Sequence, residues 1–201
     1  MERILLTIDR LSAGVGKAFA WCILILTLGV TYEVVMRKLF RAPTDWAFDI
    51  SYIMYGALFM MAGAYTLSRN GHVRGDMFYR LMPPRGQAAL DLSLYLLFFF
   101  PSCITLLYFG IPYAQQSWSY KEVSIFSPAG VPIYPSKALI PLAAAFLIIQ
   151  GIAEIIRCVI TMRDNRWPQR LHDVEEMETA ILNEQQDRAR AGGDAPPEAA
   201  R

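Results

Sequence analysis

The chain has 201 residues, 54% of them hydrophobic and 18% charged, and a formal net charge of +1. Soluble domains run at about 45–50% apolar and about 25% charged, and here no Phe, Trp or Tyr occurs after Trp167, so the first 165 or so residues are far more apolar than the average. An ordinary soluble globule is excluded. So is a nucleic-acid binder, which needs a basic stripe interleaved with aromatics on a polar face.

The near-zero net charge averages two unlike parts. Met1 to Leu171 holds sixteen Lys and Arg against ten Asp and Glu, or +6, whereas His172 to Arg201 holds three against eight, or −5. The chain therefore divides into a membrane domain over 1–165 and an acidic tail over 166–201. Cys22, Cys103 and Cys158 each lie alone in an apolar run without a C-x-x-C pair. That pattern argues against thiol exchange and zinc, and for thiols packed as small hydrophobes. The only histidines, His72 and His172, fall outside the apolar runs, so paired haem ligands within helices are excluded.

Four stretches are long enough to cross a bilayer, which takes about 20 helical residues. They run over 15–36, 46–67, 90–113 and 138–162. RKLFR follows the first where a cleavage site would need small residues, so that stretch is expected to be a retained helix rather than a signal peptide. Pro43 separates the first two spans, and Pro83 with Pro84 precedes the third. Pro135 and Pro141 bracket the start of the fourth, where an early-turn proline is tolerated. Pro101 lies in the middle of the third span and is expected to kink its helix, with neighbouring packing or Ser102 compensating the lost hydrogen bond.

Lys and Arg in the loops set the orientation. With the N-terminus cytoplasmic, eleven basic residues face inward before the acidic tail and five (Arg37, Lys38, Arg41, Lys121 and Lys137) face outward. Both termini are therefore expected inside. In the second connection, Val73, Met77, Leu81 and Met82 recur near helical spacing among Arg74, Asp76 and Arg80, which predicts a short amphipathic helix in the cytoplasmic interface. The third connection, WSYKEVSIFSPAGVPIYPSK, predicts an ordered outer loop that serves either as an interfacial anchor or as a partner contact. Past Pro168, Val174, Met177, Ile181 and Leu182 line one side of a weak helix, and GGDAPPEAAR is disordered by composition.

Ionisable groups inside spans are expensive and mark either function or structural pairing. Glu33 and Arg37 are four apart, in the favourable order for an intrahelical pair. Asp49 lies near the same end and within reach of Arg37 or Arg41 if the first two spans form a hairpin. Glu154 and Arg157 are three apart near the inner end of the fourth span. As a relay, Glu33 or Asp49 would serve a self-sufficient, proton-coupled small transporter. As paired charges near helix ends, they fix helix contacts. The span centres offer only Thr, Ser, Tyr and Gln besides apolar residues, and no inverted repeat is visible, which favours the second reading. Small residues at Gly56, Ala57, Ala62, Gly63 and Ala64, and at Ala143, Ala144, Ala145 and Gly151, permit close helix packing. No nucleophile–base pair, metal cluster or cofactor motif suggests an enzyme.

The stretch RKLFRAPTDWAFDISYIMYGALFMMAGAYTLSRNGHVRGDMFYRLMP, from Arg37 to Pro83, resembles the signature region of the small, DctQ-like membrane subunit of tripartite ATP-independent periplasmic (TRAP) transporters. The resemblance rests on Arg37, Phe40, Pro43, Trp46, Asp49, Gly63, Gly71, His72, Val73 and Asp76. The segment from Ser119 to Ala143 is also similar, the resemblance covers roughly Val15 to Ile160, and Asp49 stands where the family commonly has Glu. It implies an all-α integral membrane protein of four spans with both termini inside, in the bacterial inner membrane. It also implies a non-catalytic scaffold without a cofactor of its own. The partners implied are a large multi-span permease that uses sodium ions to import an organic acid, and a periplasmic binding protein that delivers it. Within that picture Arg37, Trp46 and Asp49 form an outer-end structural cluster, with Trp46 at the interface and Asp49 accepting from Arg37. Gly71, His72 and Asp76 shape the cytoplasmic turn.

Overall fold

In the computed structural model, residues 2–69, 79 and 81–168 are described. They form six α-helices: α1 (Glu2–Ala20), α2 (Cys22–Leu39), α3 (Ala47–Ser68), α4 (Pro84–Leu94), α5 (Phe100–Tyr120) and α6 (Tyr134–Asp164), with a π-helical turn at Tyr95–Phe99 joining α4 to α5. The only β pairing among the described residues is an isolated bridge between Val123 and Pro132. Four helical stretches, Arg3–Leu39, Ala47–Ser68, Pro84–Tyr120 and Tyr134–Asp164, are long and apolar enough to cross a membrane. The four expected spans thus correspond to four helical stretches. The helices outrun the apolar runs because their polar ends continue the same backbone hydrogen bonding.

The first stretch differs from expectation. Helix begins at Glu2 rather than near Val15 and breaks at Trp21, so a separate amphipathic helix precedes the apolar one. On α1, Leu5, Asp9, Ser12, Ala13 and Gly16 are buried, a spacing that marks one helical face. That face packs on α3 and α6. Gly16 permits the contact, since a Cβ there would collide with Cβ of Tyr65.

Helix ends follow local chemistry. Past α2, Arg41 takes a left-handed conformation (φ 52°), and Ala42 N–H reaches back to Met36 C=O at 3.2 Å. Lys121 (φ 48°) ends α5 in the same way, with Glu122 N–H donating to Ser117 C=O at 3.1 Å. At Lys121 this is the six-to-one bond of a Schellman end, and in both places a carbonyl that the helix leaves open is satisfied. Arg37 and Lys38 in the last turn of α2 complement its dipole.

Helices α3 and α6 form the centre of the bundle. α3 buries Ala57, Met61, Ala64 and Ser68 along one face, and α6 buries Ala143, Ala144, Gln150, Gly151, Glu154, Arg157 and Cys158. Lipid tails are as apolar as leucine, so small side chains that let backbones approach are what holds such helices together. Cys103 and Cys158 are buried, Cys22 is half-buried, and no disulfide joins any of the three.

Pro101 cannot donate to Leu97 C=O, and its ring crowds that carbonyl. The wider π turn over Tyr95–Phe99, directly before it, takes up the mismatch. The turn brings Phe99 and Phe100 onto Gly151 of α6, where a Cβ would meet Phe99 Cε1 at 2.6 Å. Gly151→Ala should therefore lower thermal stability in detergent by about 1–3 kcal/mol through overpacking. Gly56→Ala, where a Cβ meets nothing within 4 Å, should be near neutral. Equal melting of both variants and the parent would contradict this packing.

Candidate functional site

The polar side chains gather at two ends of the bundle. The loop end carries residues 40–46 and 121–133, and the opposite, terminal end carries α1 and the close of α6.

At the loop end, Glu33 accepts from Arg37 through Oε1 (2.6 and 3.0 Å). Its Oε2 accepts from the backbone N–H of Thr44 at 2.9 Å and from the Thr44 hydroxyl. One carboxylate thus ties the end of α2 to the 40–46 turn. Trp46 is partly exposed and stacks on Tyr32, with ring centroids 6.1 Å apart, which fastens the start of α3 to α2.

Asp49 is buried at 3% exposure in the first turn of α3. It does not meet Arg37, contrary to expectation. It accepts instead from Ser124 Oγ at 2.6 Å and from the Ser127 hydroxyl. The physical reason is competition. Arg37 is held one helical turn away by Glu33, whereas the 121–133 loop folds over α3 and brings two hydroxyls to a carboxylate that the helix dipole already favours. Ser124 and Ser127 were not singled out from sequence, because the contact spans 75 and 78 residues.

The loop itself is ordered. Ser124 N–H donates to Val131 C=O at 2.8 Å, and Ile133 N–H donates to Glu122 C=O at 3.0 Å. Lys137 donates to Glu122 Oε2 at 2.6 Å and lies 4.4 Å from the centroid of the Tyr113 ring. Beneath the loop a groove of about 540 Å³ is lined by Tyr52, Tyr55, Phe59, Tyr113, Phe126 and Ile140, among others, with Asp49, Glu122 and Lys137 at its polar rim. Phe48, Tyr52, Tyr55 and Phe59 are all exposed and share one face of α3.

At the terminal end, Arg157 is fully buried and donates to both Asp9 and Glu154. Gln150 donates to Asp9 Oδ1 at 2.9 Å and accepts from Ser12 Oγ at 2.9 Å. The expected Glu154–Arg157 pair is present, and Asp9 of α1 completes a network that ties α1 to α6. Asp9 and Ser12 went unnoticed in the sequence because they lie before the apolar run. Their signal was the spacing of Leu5, Asp9, Ser12 and Gly16 along one helical face.

Gly71, His72 and Asp76, the amphipathic segment around them and the acidic tail lie outside the described residues. Among the described residues, no three His, Cys, Asp or Glu side chains come together as a metal site.

This is the architecture of a multi-pass helical membrane protein whose charges serve as ties at the bundle ends. The chain belongs to the family described as tripartite ATP-independent periplasmic transporters, DctQ component, whose model matches residues 26–161. It is thus a small permease component of a TRAP transporter, within a family of transporter components rather than a catalytic one. The match covers most of α2 through α6 and leaves α1 outside. No curated protein matches the sequence.

Two predictions follow from the ties. Arg157→Leu leaves two buried carboxylates without their guanidinium and should cost about 3–5 kcal/mol, read as loss of the monodisperse folded peak or a large fall in melting temperature in detergent. Unchanged melting would contradict the network. The Lys137 ammonium, followed by the Ser117 hydroxyl, holds the Glu122 carboxyl below its ordinary value of 4.5. A depressed carboxylate contributes stability above its unfolded-state value and loses it as pH falls through the folded-state value. The difference in melting temperature between the parent and Glu122→Gln should therefore be full above about pH 4.5 and shrink below it. A difference independent of pH would contradict the pairing.

Proposed function

We propose that this chain is a non-catalytic scaffold in the bacterial inner membrane, with both termini cytoplasmic, that binds the large permease of a sodium-coupled TRAP transporter and supports import of an organic acid delivered by a periplasmic binding protein. The observation that carries this reading is where the charges sit. Every Asp, Glu and Arg side chain buried in the described bundle is engaged near one of its two ends. Between the ends α3 buries Ala57, Met61 and Ala64 and α6 buries Ala143, Ala144, Gly151 and Ala153, and the one polar side chain buried in the middle of α6, Gln150, is taken up by Ser12 and Asp9 of α1. Transport sites at the bilayer midplane need convergent polar groups or broken helices. In this reading the sodium sites and the substrate site belong to the large permease, and this chain needs no cofactor of its own.

Several features support a packing role. No residue of α2 is buried within the chain, and the aromatic face of α3 is open to a neighbour. Arg37, Trp46 and Asp49 brace the loop end in this reading: Arg37 through Glu33, Trp46 through Tyr32, and Asp49 through the two serines of the outer loop. The basic residues near the terminal end favour its placement in the cytoplasm.

Affinity purification of the tagged chain should recover the large permease, and deletion of the chain should abolish uptake by the three-part system. Asp49→Ala should lower the amount of recovered permease several-fold while leaving the substrate affinity of the remaining complex unchanged. A change in affinity or ion coupling with full recovery would overturn the scaffold reading.

A further inference from the structure

We propose that the outward face of α1 binds anionic phospholipid headgroups of the leaflet at the terminal end of the bundle. Arg3, Arg10 and Lys17 recur at intervals of seven and all three are exposed. Seven residues make about two helical turns, so the three cations form one stripe. Ile4, 64% exposed, and Leu11, 52% exposed, form an apolar seam one position along. The stripe cannot turn inward, because the opposite face is buried and fixed by Asp9 on Arg157 and Ser12 on Gln150. Among the described residues none of the three cations has an ion-pair partner.

Length and level place this face at a membrane boundary. The helical stretch Arg3–Leu39 has 37 residues, about 55 Å at 1.5 Å per residue, against about 30 Å of hydrocarbon. The 18 residues of α2 nearly suffice for the crossing, so α1 is surplus to it. Trp21, 68% exposed, sits at the break between them, as befits an interfacial residue. Gly16 lies against Tyr65, near the end of α3, and Asp9 lies on Arg157, in the last third of α6. A helix at that level with a basic stripe beside an apolar seam puts its seam at the acyl boundary and its cations among phosphates. The charge complementarity selects an anionic bilayer surface. The site belongs to a helix outside the family-matched residues 26–161, and it does not depend on the scaffold role.

The test is native mass spectrometry of the full chain released from nanodiscs of mixed phosphatidylglycerol and phosphatidylcholine. The parent should retain phosphatidylglycerol preferentially. The variant with Arg3→Gln, Arg10→Gln and Lys17→Gln should lose that preference, on the order of fivefold for each cation removed. Arg3→Lys with Arg10→Lys should keep it, and so should Lys38→Gln with Arg41→Gln at the loop end. A parent without preference, a triple variant that keeps it, or an equal loss in the loop-end variant would overturn the assignment. None of these results bears on uptake by the transporter, so the scaffold reading stands or falls separately.

Discussion

A guanidinium with no access to water has to be satisfied by protein, and the terminal end of this bundle is organised around that requirement. Arg157 is fully buried in α6 and finds one carboxylate on its own helix, Glu154, and another on α1, Asp9. Removal of three ions from water is costly, and their attraction offsets that cost only when hydrogen bonds fill the remaining valences. Gln150 and Ser12 supply part of this, and in doing so fix the rotation of α1 about its axis. The exposed stripe on the far side of α1 is a consequence, since whichever face meets the network dictates which face meets the surroundings.

The loop end follows the same logic with less burial. Glu33 and Asp49 are each satisfied by hydroxyl groups, and by a backbone N–H in the first case, from the segments that cross over the helices. Each carboxylate holds down a connection. Between the two ends the helices are joined by small residues and by the fit of Phe99 and Phe100 against Gly151. Charge here sets the ends of the helices, and packing sets the distance between them.

Much of this was legible in the sequence. Four apolar runs of sufficient length gave the four membrane-capable helical stretches, because hydrophobicity and length alone decide that question. The Glu33–Arg37 and Glu154–Arg157 pairs could be read because intrahelical neighbours are fixed by spacing. Partners across the fold could not. Asp49 had two arginines at plausible distance in the chain, and nothing local indicated that serines 75 and 78 residues away would reach it instead. Asp9 was hidden for a different reason. It lies in a polar stretch where a charge is ordinarily solvated, and only the helical continuation back to Glu2 reveals that its face is covered. The π turn before Pro101 likewise depends on how a long helix absorbs a missing donor, which hydropathy does not encode.

In the proposed scaffold reading the buried charges act as structural ties, and the ion and substrate path belongs to the large permease. The most direct test is flux into liposomes that contain this chain alone, under inward sodium or proton gradients with an organic acid outside. No uptake above empty liposomes is predicted, whereas liposomes that also contain the large permease, with the binding protein supplied outside, should accumulate substrate. Uptake by the chain alone, abolished by Glu33→Gln or Asp49→Asn, would contradict the account.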